Sequence, residues 1–122
     1  MKTILVVDDE LGNAEVVSLI LREEGFAASC AANGALGLAA ARAVVPDLIV
    51  SDFMMPVMNG AEFVRALRAD PTFANTRIIL NSGLPEDSIA RDLEGYDAFL
   101  RKPYPIARLI DMVHALIGPA KA

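Results

Sequence analysis

Five short apolar runs alternate with five helix-length segments along the 122 residues, and this alternation constrains the fold more than any other feature. Ile4-Leu5-Val6-Val7 is an unbroken, mostly β-branched apolar run, as expected of a strand covered on both faces. A helix is expected over 13–24, with Val17, Ile20 and Leu21 on one face and Gly25 as its stop. Phe26 to Ala31 reads as the second strand, weakened by its small residues. Asn33 can cap a helix running to about Val44, which Pro46 closes. Leu48-Ile49-Val50-Ser51 is the third strand and delivers Asp52 at its end. A helix over 61–68 carries Phe63, Val64 and Leu67 at helical spacing. Ile78-Ile79-Leu80 is the fourth strand, followed by a short helix over 86–94 and a short strand over 98–101. Pro105 stands where a last helix, 106–117, begins. Strands that alternate with helices imply an α/β fold: a parallel sheet, right-handed crossovers and helices on both faces.

A length of 122 residues suits one domain, expected over 1–122 with its core at about 3–117, and Gly118 to Ala122 reads as a tail. Hydrophobic residues make up 54% and charged residues 22%, enough apolar surface for a buried core. The net charge of -5 argues against direct binding to a phosphate backbone, so no nucleic-acid partner is expected. No stretch is long enough to span a membrane, and no charged-then-apolar leader precedes the first strand. The single cysteine, Cys30, cannot form an internal disulfide, which fits a reducing compartment. A cytoplasmic domain is the expectation.

Ligands of such sheets sit beyond the carboxyl ends of the strands. The first strand ends in Asp8-Asp9-Glu10, the third in Asp52, the fourth in Ser82, and the fifth in Lys102 before Pro103. Uncompensated carboxylates gathered at one edge repel and raise one another's pKa. A hard divalent cation removes that cost, and magnesium suits a few carboxylates supplemented by waters and phosphate oxygens. A carboxylate is also a competent nucleophile toward phosphorus. Metal, ammonium and hydroxyl together supply the charge neutralisation that phosphoryl transfer requires. The edge reads as a phosphoryl-transfer site.

Val6-Val7-Asp8-Asp9-Glu10, Asp52-Phe53-Met54-Met55-Pro56-Val57-Met58-Asn59-Gly60, Ser82-Gly83 and Lys102-Pro103 together resemble the receiver domain of two-component response regulators. The resemblance covers about residues 3–117 and rests on the motifs in order, since each alone is weak. It implies a flavodoxin-like (βα)5 three-layer sandwich with strand order 2-1-3-4-5. It also implies that Asp52 is the phosphoacceptor, and that Mg2+ is held by Asp8, Asp9, Asp52 and the backbone carbonyl of Met54. By the same resemblance Ser82 and Lys102 contact the phosphoryl group, Phe99 is the aromatic switch residue, and Lys102-Pro103 carries a cis peptide. The implied partners are a sensor histidine kinase or a histidine phosphotransfer protein, with phosphorylation-dependent homodimerisation left open. Such a protein catalyses only its own phosphorylation and slow dephosphorylation.

The stretch between Ser82 and Lys102 is roughly two residues shorter than this resemblance leads one to expect, a deficit that falls in the fourth helix. Two other functions share the fold. A flavodoxin-like module needs a Gly/Ser/Thr-rich phosphate cradle after the first strand, where this chain has Asp8-Asp9-Glu10. A phosphatase working through an aspartyl-phosphate typically carries a second acid two residues after the nucleophile, where this chain has Met54. Met54, Met55 and Met58 are expected to pack the loop, Cys30 to be a small buried hydrophobe, and His114 to take a surface role.

Overall fold

The computed structural model describes residues 1–120; Lys121 and Ala122, part of the expected tail, lie outside the described residues. In chain order the elements are β1 (Thr3–Val7), α1 (Leu11–Glu23), β2 (Ala27–Ala31), α2 (Gly34–Ala43), β3 (Leu48–Asp52) and α3 (Gly60–Ala69). They continue as a 3-10 turn (Pro71–Phe73), β4 (Arg77–Ser82), α4 (Glu86–Ile89), β5 (Ala98–Arg101) and α5 (Ile106–Ile117). All strand pairings are parallel and the order is β2-β1-β3-β4-β5. This is the doubly wound, flavodoxin-like architecture expected from the sequence.

The sheet separates two cores. Leu5, Val7, Ile49, Ile78 and Leu80 face one side, where Leu38 of α2 and Phe63, Val64 and Leu67 of α3 cover them. Ile4, Val6, Leu48, Val50, Ile79 and Leu100 face the other, under Val17 and Leu21 of α1 and Leu109 and Val113 of α5. Helices of ten to thirteen residues are marginal alone. Burial at about 1.5–3 kcal/mol per large apolar side chain is what holds them. Caps set where they start. The Asn33 side chain accepts from Leu36 N–H at 2.8 Å, and Asn59 and Glu62 form a reciprocal capping box. At the end of α1 the chain turns through Gly25 at φ +99°, a conformation L side chains resist.

Two departures from the sequence reading have physical causes. The fourth helix is one turn, Glu86–Ile89, and not a helix to Glu94. Residues 83–97 must run from the carboxyl edge of β4 back to the amino edge of β5. Extended chain covers about 3.3 Å per residue against about 1.5 Å in a helix. A shortened connection therefore gives up helix to gain reach. Ile89, Leu93 and Tyr96 still pack against the α2/α3 core, and the Tyr96 hydroxyl donates to Glu86 Oε2. Burial and that carboxylate push the phenol up to about 12. The second departure is that α1 starts at Leu11, which places Asn13 inside its first turn instead of at its start.

Candidate functional site

β1 and β3 are inner, neighbouring strands, and the chain at their carboxyl ends brings Asp8 and Asp52 to one edge of the sheet. Asp52 ends β3, every residue of which is buried, and is itself only 7% exposed. Asp8 is buried and Asp9 beside it is exposed. Carboxylate oxygens of Asp8, Asp9 and Asp52 lie within 4.8 Å of one another. Lys102 Nζ bridges two of these acids, 3.6 Å from Asp8 Oδ2 and 3.5 Å from Asp52 Oδ2. Burial pushes the Asp52 carboxyl above its ordinary value; the Lys102 charge opposes this, and the Asp8 charge adds to it.

Three acids facing one ammonium leave the cluster short of positive charge. An octahedral magnesium with oxygens at roughly 2.1 Å spans about 4.2 Å between opposite ligands, so this cluster fits a small hard cation after modest movement or through water. The donor set is all oxygen, as such an ion requires. The Met54 backbone lies two residues past Asp52, where the chain leaves the strand and its carbonyl is free of the sheet ladder.

The remaining expected residues surround this centre. Ser82 is fully buried at the end of β4, and its Oγ accepts from Leu84 N–H at 3.1 Å instead of facing a carboxylate. The Lys102–Pro103 peptide is cis. Phe99 is half-buried on β5 and packs against the α2/α3 core, beside Leu80. Lys102 N–H donates to Ser82 O at 2.8 Å and Arg101 Nε to Gly83 O at 2.8 Å, which tie the loop after β4 to the end of β5. The loop after β3 is held against itself: Gly60 N–H donates to Phe53 O at 2.7 Å, and a Cβ on Gly60 would meet Phe53 Cα at 2.7 Å. Of the three loop methionines Met55 is buried and Met58 half-buried, but Met54 is 56% exposed, so the expectation of packing fails for Met54. Cys30 is half-buried against the α1/α5 core, and the His114 ring lies tilted 6.2 Å from Phe26.

Two neighbours were missed by the sequence reading. Asn13 Nδ2 donates to Asp8 Oδ2 at 3.0 Å, while Glu10 N–H donates to Asp8 Oδ1 at 2.9 Å, so both oxygens of Asp8 are fixed. An i+5 asparagine after an aspartate at a strand end is the only signal that could have found it. Tyr104 packs against the α1/α5 core, and its phenol is pushed up by burial and by the charges of Asp8 and Asp52. It therefore stands within the field of the acidic cluster.

The response regulator receiver domain model matches residues 4–114. The chain belongs to the response regulator receiver family. Among curated relatives of this receiver is the "Probable transcriptional regulatory protein TcrX" of Mycobacterium tuberculosis, 36% identical over 115 residues. That match takes in 94% of this chain and 49% of TcrX, so the receiver spans about half the length of this relative. Among solved structures, the chemotaxis response regulator CheY4 of Vibrio cholerae superposes with a TM-score of 0.89 at 30% identity, over 96% of this chain and 99% of that one. The response regulator TrrA of Thermotoga maritima, solved in complex with Mg(2+)-BeF, gives a TM-score of 0.84 at 30% identity, over 96% and 100%.

Proposed function

We propose that residues 1–122 form one receiver domain that works as a phosphorylation switch, with Asp52 as acceptor and Mg2+ as the required ion. The observation that carries this reading is the cluster of Asp8, Asp9 and Asp52 at one sheet edge, with Lys102 bridging Asp8 and Asp52. The likeness to TrrA, solved with Mg(2+)-BeF, supports both the ion and a phosphoryl-like group at this edge. Asp8, Asp9, Asp52 and the Met54 carbonyl are the residues that would hold the ion. Bound there, Mg2+ would supply positive charge opposite the phosphoryl oxygens and offset the repulsion among the three carboxylates.

The donor is a phosphohistidine presented in the cytoplasm by a sensor histidine kinase or a histidine phosphotransfer protein. An Asp52 oxygen attacks phosphorus in line; the P–O bond forms as the P–N bond breaks, and the imidazole leaves. Lys102 supplies an ammonium to an equatorial oxygen. The Ser82 hydroxyl leaves Leu84 N–H and turns to donate to a second one. That rotation vacates space beside β4, and Phe99, already packed on the α2/α3 core, moves inward: a population shift of a two-state element. Exposed Val16 on α1 and Ile106 on α5 line one concavity with Lys102 and offer the donor an apolar surface beside the site. Turnover of an external substrate forms no part of this reading; the reaction is stoichiometric.

Fluoroberyllate with Mg2+ mimics the phosphorylated acid and tests the switch directly. Amide spectra of wild type should shift at Ser82, Lys102 and Phe99 only when both are present, and Asp52→Asn should not respond. Shifts confined to the three acids, with Phe99 unmoved, would refute the switch.

A further inference from the structure

The floor of the site holds one polar group that the proposed chemistry leaves unused. Asn81, one residue before Ser82, is 4% exposed. Among the described residues its Oδ1 and Ser18 Oγ are the two buried side-chain polar atoms without a hydrogen-bond partner. Ser18 lies mid-way along α1, whereas Asn81 lies on the functional edge.

Strand alternation says where the Asn81 side chain stands. Val50, Ile79 and Leu100 all face the α1/α5 core, so Asp52 and Asn81, two residues further along β3 and β4, share that face. Asp52 and Asn81 are register partners, and Asn81 in turn pairs with Leu100. Lys102 leaves β5 two residues past Leu100, yet its ammonium reaches Asp52 on β3. Strands lie roughly 4.8 Å apart, so the lysine stem crosses the end of β4, where Asn81 sits.

We propose that Asn81 is a positioning residue for Lys102: its carboxamide oxygen receives the lysine ammonium when a divalent cation occupies the acidic cluster. The inference rests on the metal reading of that cluster. Lys102 stands against Oδ2 of both Asp8 and Asp52, on two of the three acids a cation would use. Two cations cannot share these carboxylates without repulsion, so metal binding displaces the ammonium. A neutral acceptor under the lysine stem gives it a place within reach of an incoming phosphoryl group. Being neutral, it competes poorly with the carboxylates, which is why Lys102 stands on the acids when no metal is bound. An unpartnered buried acceptor is costly to maintain, and pairing in the metal-loaded state removes that cost.

The isosteric pair Asn81→Val and Asn81→Thr separates acceptor from shape, because threonine keeps an oxygen where valine has a methyl. Magnesium affinity is read by calorimetric titration of the full chain. Asn81→Val should weaken it by roughly ten-fold, the loss of a charge-assisted hydrogen bond, while Asn81→Thr stays close to wild type. Combined with Lys102→Ala, Asn81→Val should have no further effect. Equal losses for both Asn81 variants, no loss for valine, or a loss that persists without Lys102 would each overturn the proposal. Should valine prevent folding, judged by circular dichroism, the carboxamide carbon resonance of wild-type Asn81 decides. It should move with magnesium in wild type and stay fixed in Lys102→Ala; movement in both overturns the proposal. Wild-type protein that binds no magnesium would refute the metal reading itself, and this inference with it.

Discussion

Replacing Lys102 by alanine should destabilise the metal-free protein and tighten its hold on magnesium, two effects of opposite sign from one missing charge. The ammonium lies 3.5 Å and 3.6 Å from two carboxylates that are themselves buried. At an effective dielectric near 20 each contact has a gross attraction of about 5 kcal/mol. Desolvation offsets much of this, and the lysine side chain is 28% exposed, so solvent screens part of the remainder. A net loss of about 1–3 kcal/mol remains, smaller than the roughly 3–5 kcal/mol for breaking a fully buried pair. For a domain of this size that corresponds to about 4–12 °C in Tm. Far-UV circular dichroism melts in chelator, at neutral pH and low salt, measure it. Saturating magnesium should shrink the difference or reverse it, because the cation replaces the missing charge without a competitor. An unchanged Tm in chelator together with unchanged magnesium affinity would refute the electrostatic reasoning.

Asp9→Ala should weaken magnesium binding and phosphorylation together while leaving the melt in chelator the same or slightly higher, since like-charge repulsion is relieved; an unchanged magnesium titration would remove Asp9 from the ion's ligands. Asp52 has a folded pKa above its ordinary 3.8, so the folded state holds the extra proton and stability falls as pH rises from that value through the raised one. Asp52→Asn carries no such charge and should gain on wild type across that window in metal-free melts; a constant difference from acid to neutral pH would contradict the raised pKa. Met54 and Leu84, 56% and 45% exposed, are apolar where a polar side chain could orient the attacking water. Met54→Asn should therefore speed loss of the phosphoryl group several-fold, about 1 kcal/mol of barrier, measured as decay of phosphoprotein in magnesium; an unchanged rate would show that these side chains do not govern lifetime.

The strands and the acidic edge were legible because each depends on local signals. Unbroken apolar runs such as Ile4-Leu5-Val6-Val7 bury on both faces when a parallel sheet carries helices on each side. The residue that ends each run then falls at the carboxyl edge by necessity, and Asp8, Asp52 and Lys102 meet for that reason. The extent of α4 was not legible. Ile89, Leu93 and Tyr96 have helical spacing, but the distance the chain must cover to β5 decided the matter, and that distance is a property of the assembled sheet. Side-chain partners across elements were hidden for a similar reason. Asn13 reaches Asp8 because α1 starts two residues earlier than its apolar pattern suggests. The Ser82 hydroxyl faces Leu84 N–H, a rotamer choice no residue pattern encodes. Asn81 reads as an ordinary polar strand end until its burial beside Asp52 is known.

Incubation of the full chain with a small acyl phosphate, with and without magnesium, tests the acceptor assignment most directly. Intact-mass measurement counts the phosphoryl groups and peptide mapping locates them. One group on Asp52, dependent on the divalent ion and absent from Asp52→Asn, is the predicted result. Labelling that persists in Asp52→Asn, or that proceeds equally well in chelator, would contradict it.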